Sequence, residues 1–144
     1  MVTVSNKLDL KSRDIKNVFL LAPVKEKVFI KAWKEFGEEQ GKLFIIVKAL
    51  YGLKSASASF RSFMAEYLDE LGFKSYEADN DIWLSPATKG DRFEYYEYVT
   101  IYVDDILVMS DKVTEVLELV GRMPQVKFKG SVRQSIVLII CGWQ

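Results

Sequence analysis

The chain has 144 residues, 49% of them hydrophobic, and its 20 basic side chains balance 20 acidic ones unevenly: 12 and 6 in residues 1–65, 4 and 14 in residues 66–118, 4 and none in residues 119–144. It has no histidine and one cysteine, Cys141, so an internal disulfide, a Cys₂His₂ or Cys₄ zinc site and Ser-His-Asp or Cys-His catalysis are all excluded. The longest apolar run, Ile136 to Cys141, is far short of the roughly 18 residues that cross a bilayer, and Met1-Val2-Thr3-Val4 lacks a secretory pattern, so a soluble intracellular protein, cytoplasmic or nuclear, is expected. No repeat, low-complexity stretch or linker divides the chain, which reads as a single domain over 1–144.

The short β-branched and aromatic runs 28–30 and 43–47 predict two strands, with a turn between them at Gly37 and Gly41. From Ser57 the period changes. Phe60, Phe63, Met64, Tyr67, Leu68 and Leu71 form one apolar helical stripe, with Ser55 or Ser57 as its cap and Gly72 as its end. A short strand is expected at 82–84, then a loop through Pro86 and Gly90. Next come two strands, 95–103 and 106–109, joined by the two-residue acidic turn Asp104-Asp105. Ser110 or Asp111 caps a second helix, in which Val113, Val116, Leu117 and Val120 share a face and Gly121 and Pro124 mark the end. Pro23, Pro86 and Pro124 are placed at element boundaries, and Cys141 reads as a small buried apolar residue. The order strand, helix, strand, strand, helix, strand predicts an α+β fold, a ferredoxin-like split βαβ antiparallel sheet with two packing helices.

Chemistry centres on the hairpin. Adjacent carboxylates at the tip of an apolar hairpin repel each other, so the tip is either open to water or neutralised by a cation. With few carboxylates, no histidine and no usable thiol, the cation that suits such oxygen donors is Mg²⁺ or Mn²⁺. On spacing alone, both readings stay open.

Longer stretches of text resemble one family. Tyr102-Val103-Asp104-Asp105-Ile106-Leu107-Val108 is similar to the Y-V-D-D-I-L motif of reverse transcriptases from copia-type retrotransposons. Asp14-Ile15-Lys16-Asn17-Val18-Phe19-Leu20 resembles their D-V-K-N-A-F-L, and Lys48-Ala49-Leu50-Tyr51-Gly52-Leu53-Lys54-Ser55 resembles their K-A-L-Y-G-L-K-Q/S. Leu71-Gly72-Phe73 and Asp79-Asn80-Asp81-Ile82-Trp83 are similar to the L-G-F and D-P-D-V-W steps that follow. The five blocks keep the family's order from Asp14 to Asp111, while residues 122–144 diverge.

The resemblance implies a polymerase palm performing RNA-directed DNA synthesis by two-metal-ion nucleotidyl transfer. It implies Asp14, Asp104 and Asp105 as catalytic residues and ligands of Mg²⁺ or Mn²⁺, Asp104 being favoured over Asp105 because successive strand residues face opposite ways. It implies Ile15, Phe19, Tyr51, Gly52, Tyr102 and Val103 as nucleotide contacts. Phe19 matches a bulky gate against a ribose 2′-hydroxyl, with an ordinary core aromatic as the other reading. Lys16, Lys48, Lys54, Arg61, Lys127 and Lys129 are the expected contacts to nucleic acid. The partners implied are an RNA or DNA primer-template, deoxynucleoside triphosphates and the rest of a retrotransposon polyprotein, with no membrane. Only 13 residues precede Asp14, and fingers, thumb and RNase H text is missing, so the chain is expected to be inactive in isolation. The alternative is a catalytically dead relic that at most binds nucleic acid without specificity.

Overall fold

Side chains that alternate between a buried and an open face set the register of the main sheet: Ile106, Val108 and Ser110 on one strand, Tyr95 and Val99 on its neighbour. A computed structural model describes residues 8–123 and 125–134, with the side chains of Lys25 and Gln134 excepted. Pro124, the run Ile136 to Cys141 and Cys141 itself lie outside the described residues. The strands are β1 (Asp9–Ile15), β2 (Pro23–Lys31), β3 (Leu43–Lys48), β4 (Lys74–Tyr76), β5 (Asp79–Thr88), β6 (Glu94–Tyr102), β7 (Asp105–Ser110) and β8 (Phe128–Gln134). The helices are α1 (Ala56–Glu70) and α2 (Val113–Gly121), with 3₁₀ turns at Val18–Leu21 and Lys34–Glu39. The architecture is α+β, and every strand pairing is antiparallel.

The chain groups into two compact units. The first runs up to Lys16 and resumes at Glu66; the second is Asn17–Ala65. In the first, six strands lie in the order β4-β5-β6-β7-β1-β8. Helix α2 packs on β7 and β1 through Val113, Val116, Leu117 and Val120, all buried as the sequence predicts. Residue 121 must be small for a different reason than ending the helix: a Cβ there would meet Phe128 Cε2 at 2.7 Å. On its other contacts the Phe128 ring carries the Arg13 guanidinium, 4.4 Å from its centroid.

The second unit holds a separate two-stranded sheet, β2 with β3, containing the strands predicted at 28–30 and 43–47. Helix α1 begins there: Ser55 stands at the N-cap by its carbonyl, which accepts the Ser59 N–H (2.8 Å), while its hydroxyl donates to Glu26 Oε1 (2.6 Å). Ala56, Phe60, Met64 and Leu68 form the buried stripe of α1. The helix ends as expected at Gly72, whose φ of +89° suits glycine. Phe73 N–H bonds the Leu68 carbonyl (2.9 Å) and Gly72 N–H the Asp69 carbonyl (3.0 Å), a Schellman closure with its accompanying buried apolar pair, Leu68 and Phe73.

Three expectations are corrected. The hairpin turn is Val103-Asp104, not Asp104-Asp105, because Tyr102 pairs with Asp105, which opens β7. The apolar face does not distinguish the two turns, since a shift of a two-residue turn by one position leaves the same residues on each face; the pairing with β1 does, because Asp105 is already opposite Asp14 and the Asp104 carbonyl accepts the Ile15 N–H (2.6 Å). Pro86 sits inside β5, opposite Tyr96; β4 reaches along β5 only to Leu84, so a missing N–H beyond it breaks no ladder bond. Ser110 belongs to β7 and is fully buried; Lys112 holds the N-cap position, although Ser110 Oγ does accept the Lys112 N–H at 2.9 Å.

Candidate functional site

β1 and β7 pair so that Asp14 lies directly opposite Asp105. Opposed residues of an antiparallel pair project to one face, so the two carboxyls meet on the face away from Ile15 and Ile106, both fully buried. Slight burial, then the hydrogen-bonded and charged Asp14 carboxyl, then Asp104, raise the pKa of Asp105 from its ordinary value; Arg133 opposes them.

Asp104 occupies the adjoining turn. Its carbonyl accepts the Ile15 N–H (2.6 Å), tying the hairpin tip to β1, and its carboxylate lies 3.5 Å from the Lys129 ammonium. Val103, before it, has φ 54°. Positive φ at the first central residue alone belongs to a type II′ hairpin turn, where glycine is usual. A β-branched residue held there costs on the order of 1–3 kcal/mol, and such strain gathers at functional sites.

β8 flanks the acids from the other side. Lys129 pairs with Asp14 across the ladder, and Ser12 pairs with Arg133. Two steps along β1 therefore match four along β8, a bulge containing Gly130 at φ +60°. The bulge leaves the Arg133 guanidinium 3.9 Å from the Asp14 carboxylate. Asp14 is thus bordered by Asp105 on one strand and by two cations on the other. Arg133 was not among the expected site residues; its signal was the stretch 119–144, which holds four basic residues and no acidic one.

Among the described residues, no three His, Cys, Asp or Glu side chains form a ready-made metal cage. The donor chemistry nevertheless fits Mg²⁺ or Mn²⁺, since Mg²⁺ commonly takes only one or two protein carboxylates and completes its octahedron with water and phosphate. Asp14 and Asp105 would supply that pair, and Asp104 immediately precedes Asp105.

Other expected residues fall as follows. The Ile15 side chain is fully buried and its N–H bonds the Asp104 carbonyl, which places this residue directly beneath the turn. Tyr102 and Val103 are exposed at the hairpin tip. Lys16 and Lys127 are exposed and joined through a backbone hydrogen bond, Lys16 N–H to the Lys127 carbonyl (2.6 Å).

In the second unit, Phe19 is half-buried, with its ring 6.0 Å from Tyr51 and edge-on to Phe60 at 6.4 Å. Tyr51 is 91% exposed, so the Phe19 and Tyr51 pair presents an open aromatic surface. Gly52 has φ +97° in the turn closed by Leu53 N–H to the Leu50 carbonyl (3.2 Å), and a Cβ there would meet nothing; the turn conformation accounts for glycine. Lys54 and Arg61 are exposed, and the Lys48 ammonium donates to the Leu21 carbonyl (3.4 Å).

A sequence-family model described as reverse transcriptase (RNA-dependent DNA polymerase) matches residues 1–136. The chain is 26% identical over 115 residues to the retrovirus-related Pol polyprotein from transposon RE1 of Arabidopsis thaliana, which covers 78% of this chain and 8% of that protein. It is 25% identical over 99 residues to a putative transposon Ty5-1 protein of Saccharomyces cerevisiae, covering 67% of this chain and 30% of that protein. No solved structure matches. No helix among the described residues is long and apolar enough to cross a membrane. The retrotransposon kinship expected from the five motif blocks is therefore found, and the chain belongs to the reverse transcriptase (RNA-dependent DNA polymerase) family.

Proposed function

We propose that the first unit is the palm of an RNA-directed DNA polymerase, with Asp14, Asp104 and Asp105 as its catalytic carboxylates. The observation that carries this reading is the cross-strand pair Asp14 and Asp105 beside the strained Val103-Asp104 turn. The topology supports it: β1, α1, β6, β7, α2 and β8 occur in that order along the chain, with β2 and β3 inserted before α1 and β4 and β5 after it, and the strands lie in the order β8-β1-β7-β6, the arrangement of a split βαβ unit.

In the reaction the primer 3′-hydroxyl attacks the α-phosphorus of a deoxynucleoside triphosphate, loses its proton, and displaces pyrophosphate. Asp14, Asp104 and Asp105 would hold Mg²⁺ or Mn²⁺, which when bound would supply the lowering of that hydroxyl's pKa and the stabilisation of charge on the leaving group. Asp14 and Asp105 hold the charge that draws the cations in, Asp104 supplies a carboxylate from the turn, and the Ile15 N–H fixes that turn. Ile15, Phe19, Tyr51, Gly52, Tyr102 and Val103 are carried as nucleotide contacts by the resemblance; for Phe19 and Tyr51 the open ring pair supports it. A primer-template and an intracellular setting within a retrotransposon polyprotein complete the proposal, which covers a small part of the relatives' length.

Because phosphoryl transfer depends on positioning and charge stabilisation, metal ligands alone leave most of the acceleration missing. The chain by itself is expected to bind metal but not to extend a primer. Millimolar Mg²⁺ or Mn²⁺ should raise its melting temperature, and Asp14→Asn should abolish the rise. An undiminished rise in the variant would move the metal elsewhere. Template-dependent extension by the purified chain, lost in Asp104→Asn, would show the chain to be a sufficient polymerase.

A further inference from the structure

The acids of the proposed site are not alone on their face: β8 delivers a cation to each of two of them, Lys129 to Asp104 at 3.5 Å and Arg133 to Asp14 at 3.9 Å. Three features make this a built arrangement. Lys129 is the direct ladder partner of Asp14, so its place beside the carboxylates is fixed by backbone pairing. The bulge compresses four β8 positions onto two of β1, which is what brings Arg133 as well as Lys129 within reach of the cluster. Finally, Gly130 adopts the left-handed conformation that the bulge requires, at φ +60° with open space around it.

We propose that Lys129 and Arg133 form a counter-cation latch: they neutralise the carboxylates when no metal is bound and must be displaced before a divalent cation can enter. The latch rests on the reading of Asp14, Asp104 and Asp105 as metal ligands. Its charge arithmetic is simple. A divalent cation gains from three carboxylates but is repelled by two resident positive charges a few ångströms away, and near a surface such a repulsion is of the same size as the attraction of one acid. Both cations keep substantial exposure, with 47% of the Lys129 side chain and 72% of that of Arg133 open to solvent. They are therefore free to swing out when a polyanion, such as the triphosphate or a nucleic-acid backbone, offers them an alternative partner. Metal entry and polyanion arrival are coupled in this way, by residues that are positioning groups and touch neither reacting atom.

The test counts free Mn²⁺ by electron paramagnetic resonance in titrations of the full chain at low ionic strength. It compares the wild type with Lys129→Gln/Arg133→Gln and with Lys112→Gln/Arg122→Gln, an exposed control pair with the same change in net charge. The latch predicts Mn²⁺ affinity about fivefold or more higher in the β8 pair, and less than a twofold change in the control. A gain of function cannot come from misfolding, and the two single β8 variants should each give part of the rise. Equal affinity in wild type and β8 pair would overturn the latch while leaving the metal site standing. An equal rise in the control would overturn it in favour of net charge. Absence of Mn²⁺ binding in every form would overturn both the latch and the metal reading.

Discussion

At the scale of single residues, Asp105 carries the clearest cost. Its pKa is raised by slight burial and by the neighbouring Asp14 and Asp104 carboxyls, so the folded chain holds a proton that the unfolded chain releases. The native state then binds more protons between the ordinary aspartate pKa and the raised one, and stability falls as pH climbs through that window. Above it the metal-free protein carries a repulsion among the carboxylates that Lys129 and Arg133 offset only in part. Asp105→Asn should therefore raise the metal-free melting temperature at neutral pH, flatten its fall between acid and neutral pH, and lose the added stabilisation by Mg²⁺. A melting curve with and without metal at several pH values measures all three effects. Asp104 and Asp105 stood out in the sequence as adjacent acids inside an apolar hairpin, a pattern that by itself left both readings open, and Asp14 was singled out only by the family resemblance. Which acid faces Asp14 was not legible: alternation alone gives Asp104 or Asp105 depending on where the turn falls, and Val103 carries no glycine to announce a positive φ.

Among elements, the errors share one cause. The two apolar runs around the acids were visible, as were both helices, because their periods of 2 and 3.6 are strong. Neither β1 nor β8 was given a residue range in the sequence reading, although the expected order of elements called for a strand after the second helix. Asp9–Ile15 and Phe128–Gln134 are rich in charge, and their strand character comes from pairing with β7 and with each other, a non-local gain that no window of sequence contains. Yet these two carry Asp14, Lys129 and Arg133, so the strands hardest to read hold three of the five charged residues of the candidate site, the others being Asp104 and Asp105. The junction between α2 and β8 offers a direct check on their packing. Gly121 stands where a methyl would press into Phe128, whose ring is also engaged by Arg13. Gly121→Ala would ordinarily favour a helix, but here the overlap must push the ring aside, and overpacking of this kind costs roughly 1–3 kcal/mol. Chemical denaturation of the variant should show a loss of that order; a gain in stability would mean that the ring moves away freely.

For the whole chain, net charge zero conceals a division between the units. Asn17–Ala65 holds eight basic and four acidic residues, while the remainder holds twelve and sixteen. A polyanion should accordingly be drawn by dispersed cations and not by one overwhelming basic surface, giving weak binding of primer-template with no preference for base sequence. Lys54 in one unit and Lys127 in the other are exposed and stand outside the carboxylate cluster. Each released phosphate contact contributes close to one power of salt concentration to the binding constant, about 0.9 for a duplex. Lys54→Gln/Lys127→Gln should therefore reduce the magnitude of the slope of log affinity against log salt by about 2 while leaving the unfolding free energy within about 0.5 kcal/mol of wild type. Fluorescence anisotropy of a labelled RNA–DNA primer-template, titrated over a series of NaCl concentrations, reads the slope directly. If it is unchanged in the double variant, those two lysines face solvent only and the nucleic acid is held by other cations. If affinity instead depends on the base sequence, the binding is not the backbone-tracking kind that the charge distribution supports.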